Sequence, residues 1–502
     1  MRVRRSLQEL VSLYDAGDRT QLENLVRAFR KIQSLPPNDP DSFFVIAGYH
    51  GEPFVKEGPT NPDWWCGYCQ HQTVLFPTWH RAYLYRLENA LRNASPEALD
   101  LALPFWDECA THGTDENPIP WFVTARQLPL PVDGKTDNPL FSYTLQKDLA
   151  DNHSTPDVSR YTKPAGYQTY LDHTTNTKIL NSNVKPGWTA RSKSRPMATL
   201  TPTFPIHTRS ILGFRSASRR QTTPSSPTRR PWPSILSKNG GQPHYGVALE
   251  EPHNAIHLAL GGFYEKGNYN ADPILGANGD MGENETAAFD PIFYLHHAFI
   301  DYIFWQWQLR HDCTATGSLT VEAGKDGTIS LGDPTFPKGT ALDTNSPLDP
   351  FTKPGGGFYT SEDVIDINKL GYSYGRGSLD NDPARFEPPT EPIAKIARVH
   401  NVSRADYAGS FVIRTHVELP IGEKVEVGRE AVLSRWNVAG CRNCQDHLNE
   451  NSFIAIDNKT MEVLKGNTDD EAKINFHVQI QSREFGGDKF HAPVREPVVE
   501  FL

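Results

Sequence analysis

Cysteine is scarce, with 6 in 502 residues. Cys441 and Cys444 form a CRNC unit, and the other C-x2-C pair, Cys66 and Cys69, lies more than 370 residues away, far outside ribbon spacing. That argues against a zinc ribbon and leaves a local disulfide or two free thiols. No HExxH occurs, so the helical zinc-hydrolase signature is missing. No apolar run is long enough to cross a bilayer, and no membrane association is expected. The N-terminal MRVRRSLQELVSLYD is basic but has no hydrophobic signal-peptide core. A net charge of −10 argues against a general nucleic-acid binder. Acidic residues are missing altogether between His173 and Leu249, where Arg, Lys, Ser, Thr and Pro dominate instead. Residues 174–245 therefore read as a basic, low-complexity insertion, either disordered or foreign to the natural coding frame.

Histidine is what the chain has in a telling arrangement. His50, His71 and His80 lie in GYHG…CQHQTVLFPTWHRAYL, and His253, His257 and His297 in EEPHNAIHLALGG and FDPIFYLHHAFID. His253 and His257 are one helical turn apart, so one metal can take both from one helix face. Two such trios fit a pair of copper ions, because neutral imidazole suits both oxidation states and leaves positions open for dioxygen. His296 and His297 point about 100° apart on a helix, so one faces a given metal. His297 is the choice, because Asp301 stands one turn later to orient it, and His296 is expected to be a packed, hydrogen-bonded residue.

The organisation is a mainly α fold: a helical bundle core holding the dicopper site, long irregular loops, then a small antiparallel β-domain. Thr20 and Glu23 fit a capping box ahead of Leu22, Leu25, Val26 and Phe29. Two prolines after Ser34 stop that helix. Further helices are expected from Trp79, over His253–Leu260 and over Phe293–Leu309. The boundaries are 1–375 for the catalytic unit, 376–393 for a linker and 394–502 for the β-domain, whose short alternating strands suggest a sandwich or barrel. Asn-X-Ser/Thr sites at Asn152, Asn284, Asn401 and Asn458 support secretion only weakly, since chance supplies several in such a length.

These motifs resemble those of type-3 copper proteins: tyrosinases, catechol oxidases and haemocyanins. The likeness is to short fungal polyphenol oxidases, over about residues 4–173 and 246–375. The resemblance implies that His50, His71 and His80 hold one copper and that His253, His257 and His297 hold the other. It implies a thioether between Cys69 and His71. It implies that Glu250 and Asn254 hold a water that deprotonates an incoming phenol, and that Phe293 walls the substrate pocket. Tyr372 and Tyr374 in GYSYG would pack against Arg4 or Arg5. Asp301-Tyr302 departs from the Asp-Arg of the family. The implied activity uses O2 as co-substrate to oxidise small phenolic or catecholic substrates to o-quinones, with hydroxylation of monophenols also open. A reversible oxygen carrier, or a product inactivated by the 174–245 insertion, are the alternatives. Secretion of a form with a longer start and shielding of the site by the β-domain are further expectations. The oligomeric state is left open.

Overall fold

The computed structural model describes residues 1–51, 67–110, 119–147, 249–261, 280–321, 327–330, 335–380 and most of 393–501, with short paired stretches between 149 and 216. The basic segment 174–245 lies outside the described residues except for Ser210–Ile211 and Phe214–Ser216. Asn152, Asn458, Cys441, Cys444 and most of the linker also lie outside them.

Helices build the half that carries the histidines. α1 (Leu7–Asp15) is capped by Ser6, whose side chain accepts from Glu9 N, and it buries Leu7, Leu10, Val11 and Tyr14. α2 (Thr20–Ser34) buries the expected Leu22, Leu25, Val26 and Phe29. The expected Thr20–Glu23 capping box does not form. Thr20 is already helical, Asp18 accepts its N–H, and Glu23 pairs with Arg27 instead. α3 (Phe43–Gly48) is capped by Ser42 and ends just before His50. α4 (Phe76–Asn93) starts with Pro77 in its first turn, where a missing N–H costs nothing. α5 (Glu250–Gly261) carries His253 and His257. α6 (Ile292–Arg310) is buried on every face from Ile292 to Phe304, as a central helix must be, and packs along α4.

The ends of the helical half are tied together. β1 (Arg2–Arg4) pairs in parallel with β2 (Tyr372–Tyr374). Arg4, and not Arg5, is the arginine that meets the tyrosines. Its guanidinium lies 3.7 Å from the Tyr372 ring centre and donates to Tyr374 Oη at 3.2 Å, while Arg5 pairs with Glu9. Asp301 of α6 lies at the hub. It accepts from Arg81 (2.6 Å), Arg4 (3.3 Å), Tyr372 (3.0 Å) and Tyr374 (2.6 Å). The expectation that Asp301 orients His297 is therefore corrected, because its oxygens are committed to this buried network. Tyr302, in the place of the family arginine, stacks on Phe105 at 4.6 Å. An aromatic ring thus fills the space and needs no counter-charge.

The C-terminal part, from Ile393 to Phe501, is a two-layer antiparallel sandwich. The strands are β3 (Ile393–Ser403), β4 (Phe411–Glu418), β5 (Lys424–Val432), β6 (Asn449–Asp457), β7 (Phe476–Ser482), β8 (Phe490–His491) and β9 (Val498–Phe501). One layer runs β6-β3-β9 and the other β5-β4-β7-β8. Ala397, Val399, Phe411, Ile413, Ile454 and Ile480 fill the space between them. Gly428 lets the layers close, since any side chain there would strike Ile454. The sandwich docks on α5, where Val412 and Leu433 cover Leu258, the residue after His257. Strands therefore make up a large part of the chain, but the helical half holds the candidate site.

Candidate metal centre

Local structure sets each histidine of the first trio. His50 follows α3, and its Nδ1 is bonded to the Asn284 carbonyl at 3.1 Å. His80 sits one turn into α4, with Nδ1 bonded to Phe76 O at 2.8 Å. His71 lies on the preceding loop, which is pressed against His50. Tyr68 N donates to Tyr49 O, and Gly67 adopts φ 68° where a Cβ would come 2.5 Å from His50 O. Ring centres stand 5.1, 5.3 and 5.8 Å apart, so the three rings lie side by side. Nitrogens of His50 and His71 fall with Cys69 Sγ in a group no wider than 4.8 Å, and His80 lies next to that group. This leaves the implied thioether sterically open.

The second trio converges more tightly. Nε2 of His297 is 3.2 Å from His253 Nε2 and 3.3 Å from His257 Nε2. Ligands about 2.0 Å from one tetrahedral ion stand ~3.3 Å apart, so the spacing fits a metal. His257 Nδ1 is bonded to Met281 O and His253 Nδ1 to Asn254 Oδ1, which directs both Nε2 atoms inward. The trios abut, with His80 and His297 stacked at 4.4 Å and His71 5.5 Å from His253.

The electrostatics keep these rings neutral. All six are buried, and burial pushes every one below its usual range, His80 to about 3. Neighbouring imidazoles add to this for His50 and His71, and so does the positive charge of Arg435, a fully buried residue at the end of β5. The Nε2 atoms of His50 and His80 have no partner among the described residues. An unmet buried polar atom costs about 1–3 kcal/mol, and a bound metal removes that cost. Neutral lone pairs converging in two adjacent groups are what a pair of nitrogen-seeking ions requires.

The other expected residues lie close by, in altered settings. Glu250 is buried and accepts from Gln72 N, so it faces the His71 loop, and burial pushes its carboxyl up to about 7. Asn254 gives its carbonyl to His253. Phe293 is fully buried, 4.0 Å from the His297 ring and 4.9 Å from His50, so it backs the ligand rings of both trios. Asn284 is buried and holds His50 through its carbonyl, a placement that does not suit the glycan its sequon suggested. Sequence reasoning missed the Asn284 and Met281 carbonyls, because backbone acceptors leave no residue signature. It also missed Glu108, whose carboxyl meets His296 Nδ1 at 2.5 Å.

Comparison with known proteins agrees with this geometry. The profile of the common central domain of tyrosinase matches residues 40–310. Tyrosinase HcTyr2 of Hahella sp. is 38% identical, over 96% of this chain and 92% of that protein. A tyrosinase of Aspergillus oryzae is 37% identical, over 87% of this chain and 86% of its own. The structure of the Burkholderia thailandensis tyrosinase at low pH superposes with a TM-score of 0.75, at 33% identity and full coverage of both chains. A catalytic half that carries two histidine trios and matches these proteins along nearly its whole length belongs to the tyrosinase family, as a copper-dependent oxidoreductase of the polyphenol oxidase kind.

Proposed function

We propose that the chain oxidises small o-diphenols to o-quinones with dioxygen. His50, His71 and His80 would hold one copper and His253, His257 and His297 the other. The observation that carries this reading is the convergence of the second trio's Nε2 atoms at 3.2 and 3.3 Å with the first trio abutting it. A bound copper pair supplies the electron exchange between diphenol and dioxygen. In balance, two diphenols lose four electrons and four protons, and one O2 becomes two waters. The protein's own part is to present neutral donors, to hold Nδ1 of His50, His80, His253 and His257 on carbonyls, and to keep the rings out of water. The test is direct. Copper-loaded full-length chain is expected to bind a pair of coppers and to turn catechol into quinone under air. His257→Ala is expected to hold one copper and to lose at least a thousandfold in rate, an effect on the scale of removing a group the chemistry requires. A His257→Ala chain that keeps both coppers would sink the assignment.

Hydroxylation of monophenols is the second reading, and Glu250 favours it. A phenol of pKa near 10 must lose its proton to ligate a metal at neutral pH. A buried carboxyl poised at about 7 is matched to that task. With the Asn254 carbonyl bonded to His253, its amide nitrogen is the end left to share a water with Glu250, one turn away. Glu250→Gln should cut monophenol turnover by about 10²-fold or more and diphenol turnover much less. Equal losses on both substrates would assign Glu250 a structural role instead.

A further inference from the structure

His296 is the one histidine of the cluster that the two-trio reading leaves without work. It is fully buried, and its ring centre lies 5.2 Å from His253, 5.0 Å from His257 and 5.1 Å from His297. One nitrogen of each of the four falls in a group no wider than 4.8 Å. Its ring is nearly parallel to His253 and nearly edge-on to His257 and His297. It therefore limits how far each of those rings can turn. His296 is itself fixed from the opposite side, because Nδ1 meets Glu108 Oε1 at 2.5 Å. Glu108 is fixed in turn by its chain, since Trp106 N donates to Leu295 O, the backbone just before His296. Nε2 of His296 has no partner among the described residues.

That is an odd choice for a residue whose only task is to fill space. A phenylalanine and a leucine would fill the same volume without burying a carboxyl, an imidazole and an unmet nitrogen. A carboxyl group bonded to one imidazole nitrogen fixes the orientation of the ring, as it does for metal-ligating histidines, and here it fixes a ring packed against three of them. We propose that His296, held by Glu108, is a positioning residue for the second metal position. It keeps His253, His257 and His297 converged and sets a polar ring edge beside them that carbon cannot replace. The inference rests on the copper-pair reading above.

The experiment measures metal retention beside stability, on the full chain loaded with copper and dialysed against a graded chelator. Glu108→Gln keeps a hydrogen bond to Nδ1 and should retain both coppers. His296→Phe should lose one copper at about tenfold lower chelator concentration and keep the other, on the scale seen when such partners of metal ligands are removed. The double variant Glu108→Leu with His296→Phe replaces both polar groups by apolar ones, and is expected to recover thermal stability but not the second copper. A double variant that holds the second copper as tightly as the parent would overturn the proposal and leave packing as the only role. So would a His296→Phe chain that loses both coppers equally. If the parent itself binds no copper pair, the functional reading falls and this one with it; if the parent binds the pair and the variants match it, this one alone falls.

Discussion

Asp301→Ala is expected to destabilise the chain by about 3–5 kcal/mol at neutral pH. The carboxylate is buried and accepts from two arginines and two tyrosines, and neither Arg81 nor Arg4 has its side chain exposed to water. Breaking a buried pair by removing one partner costs about 3–5 kcal/mol, because the charge left behind is uncompensated. Arg4 would keep Glu88 at 2.8 Å, whereas Arg81 would keep the Val364 and Ile365 carbonyls and the face of Phe304 but no carboxylate. A loss of ~5 kcal/mol is a third or more of the stability of a typical domain. Urea unfolding at pH 7 reads it directly, and a midpoint equal to that of the parent would show that the network contributes little. Asp301→Asn adds a second reading. It keeps the shape at a smaller cost, and copies that fold should hold the second copper as tightly as the parent, since Asp301 makes no bond to His297. Selective loss of that copper would restore the orienting role that spacing alone suggested.

The second large effect is of pH on the metal-free protein. Seven buried imidazoles, the six candidate ligands and His296, titrate well below their usual range, chiefly through burial. In the unfolded chain they take up protons near pH 6.5, so below that pH the unfolded state binds more protons and stability falls with pH. Four carboxyls, the buried Glu108, Glu250 and Asp290 and the half-buried Glu430, are pushed up chiefly by desolvation and act in the opposite sense. They bind protons in the folded state first, so they add stability as pH drops toward about 4.5. The imidazoles outnumber these carboxyls, so unfolding takes up protons on balance and stability falls as pH drops below about 6.5. Unfolding midpoints of metal-free chain at pH 7.5, 6.5 and 5.5 should therefore fall steeply, while metal-loaded chain falls less, because a ligated nitrogen cannot take a proton. A metal-free midpoint that is flat over this range would contradict the buried, neutral state of the trios.

How far the sequence could be read depended on whether a signal was local. Helical spacing found α2, α4, α5 and α6, because one buried stripe repeats every turn and proline marks the ends. The six histidines were legible as two trios because their motifs are contiguous and chemically unusual. What failed were two readings from local spacing, whereas the distant pairing of Arg4 with Tyr372 and Tyr374 formed as the resemblance implied. Asp301 is one turn from His297, yet its bonds go to residues that lie at the two ends of the helical half, which no local spacing could reveal. Thr20 and Glu23 have capping-box spacing, but Asp18 competes for the same N–H and wins. Glu108 meets His296 across 188 positions, so the second half of that pair carried no mark of the first.

The clasp between β1 and β2 bears on the order of events during synthesis. Arg4 and Tyr374 are 370 positions apart, so the strand that begins the chain waits on the ribosome for nearly the whole catalytic half. At about 5–20 residues per second that delay is on the order of a minute. His297, the last of the six candidate ligands, is translated 77 residues before Tyr374, so the whole ligand set is made about 4–15 s before the clasp can shut.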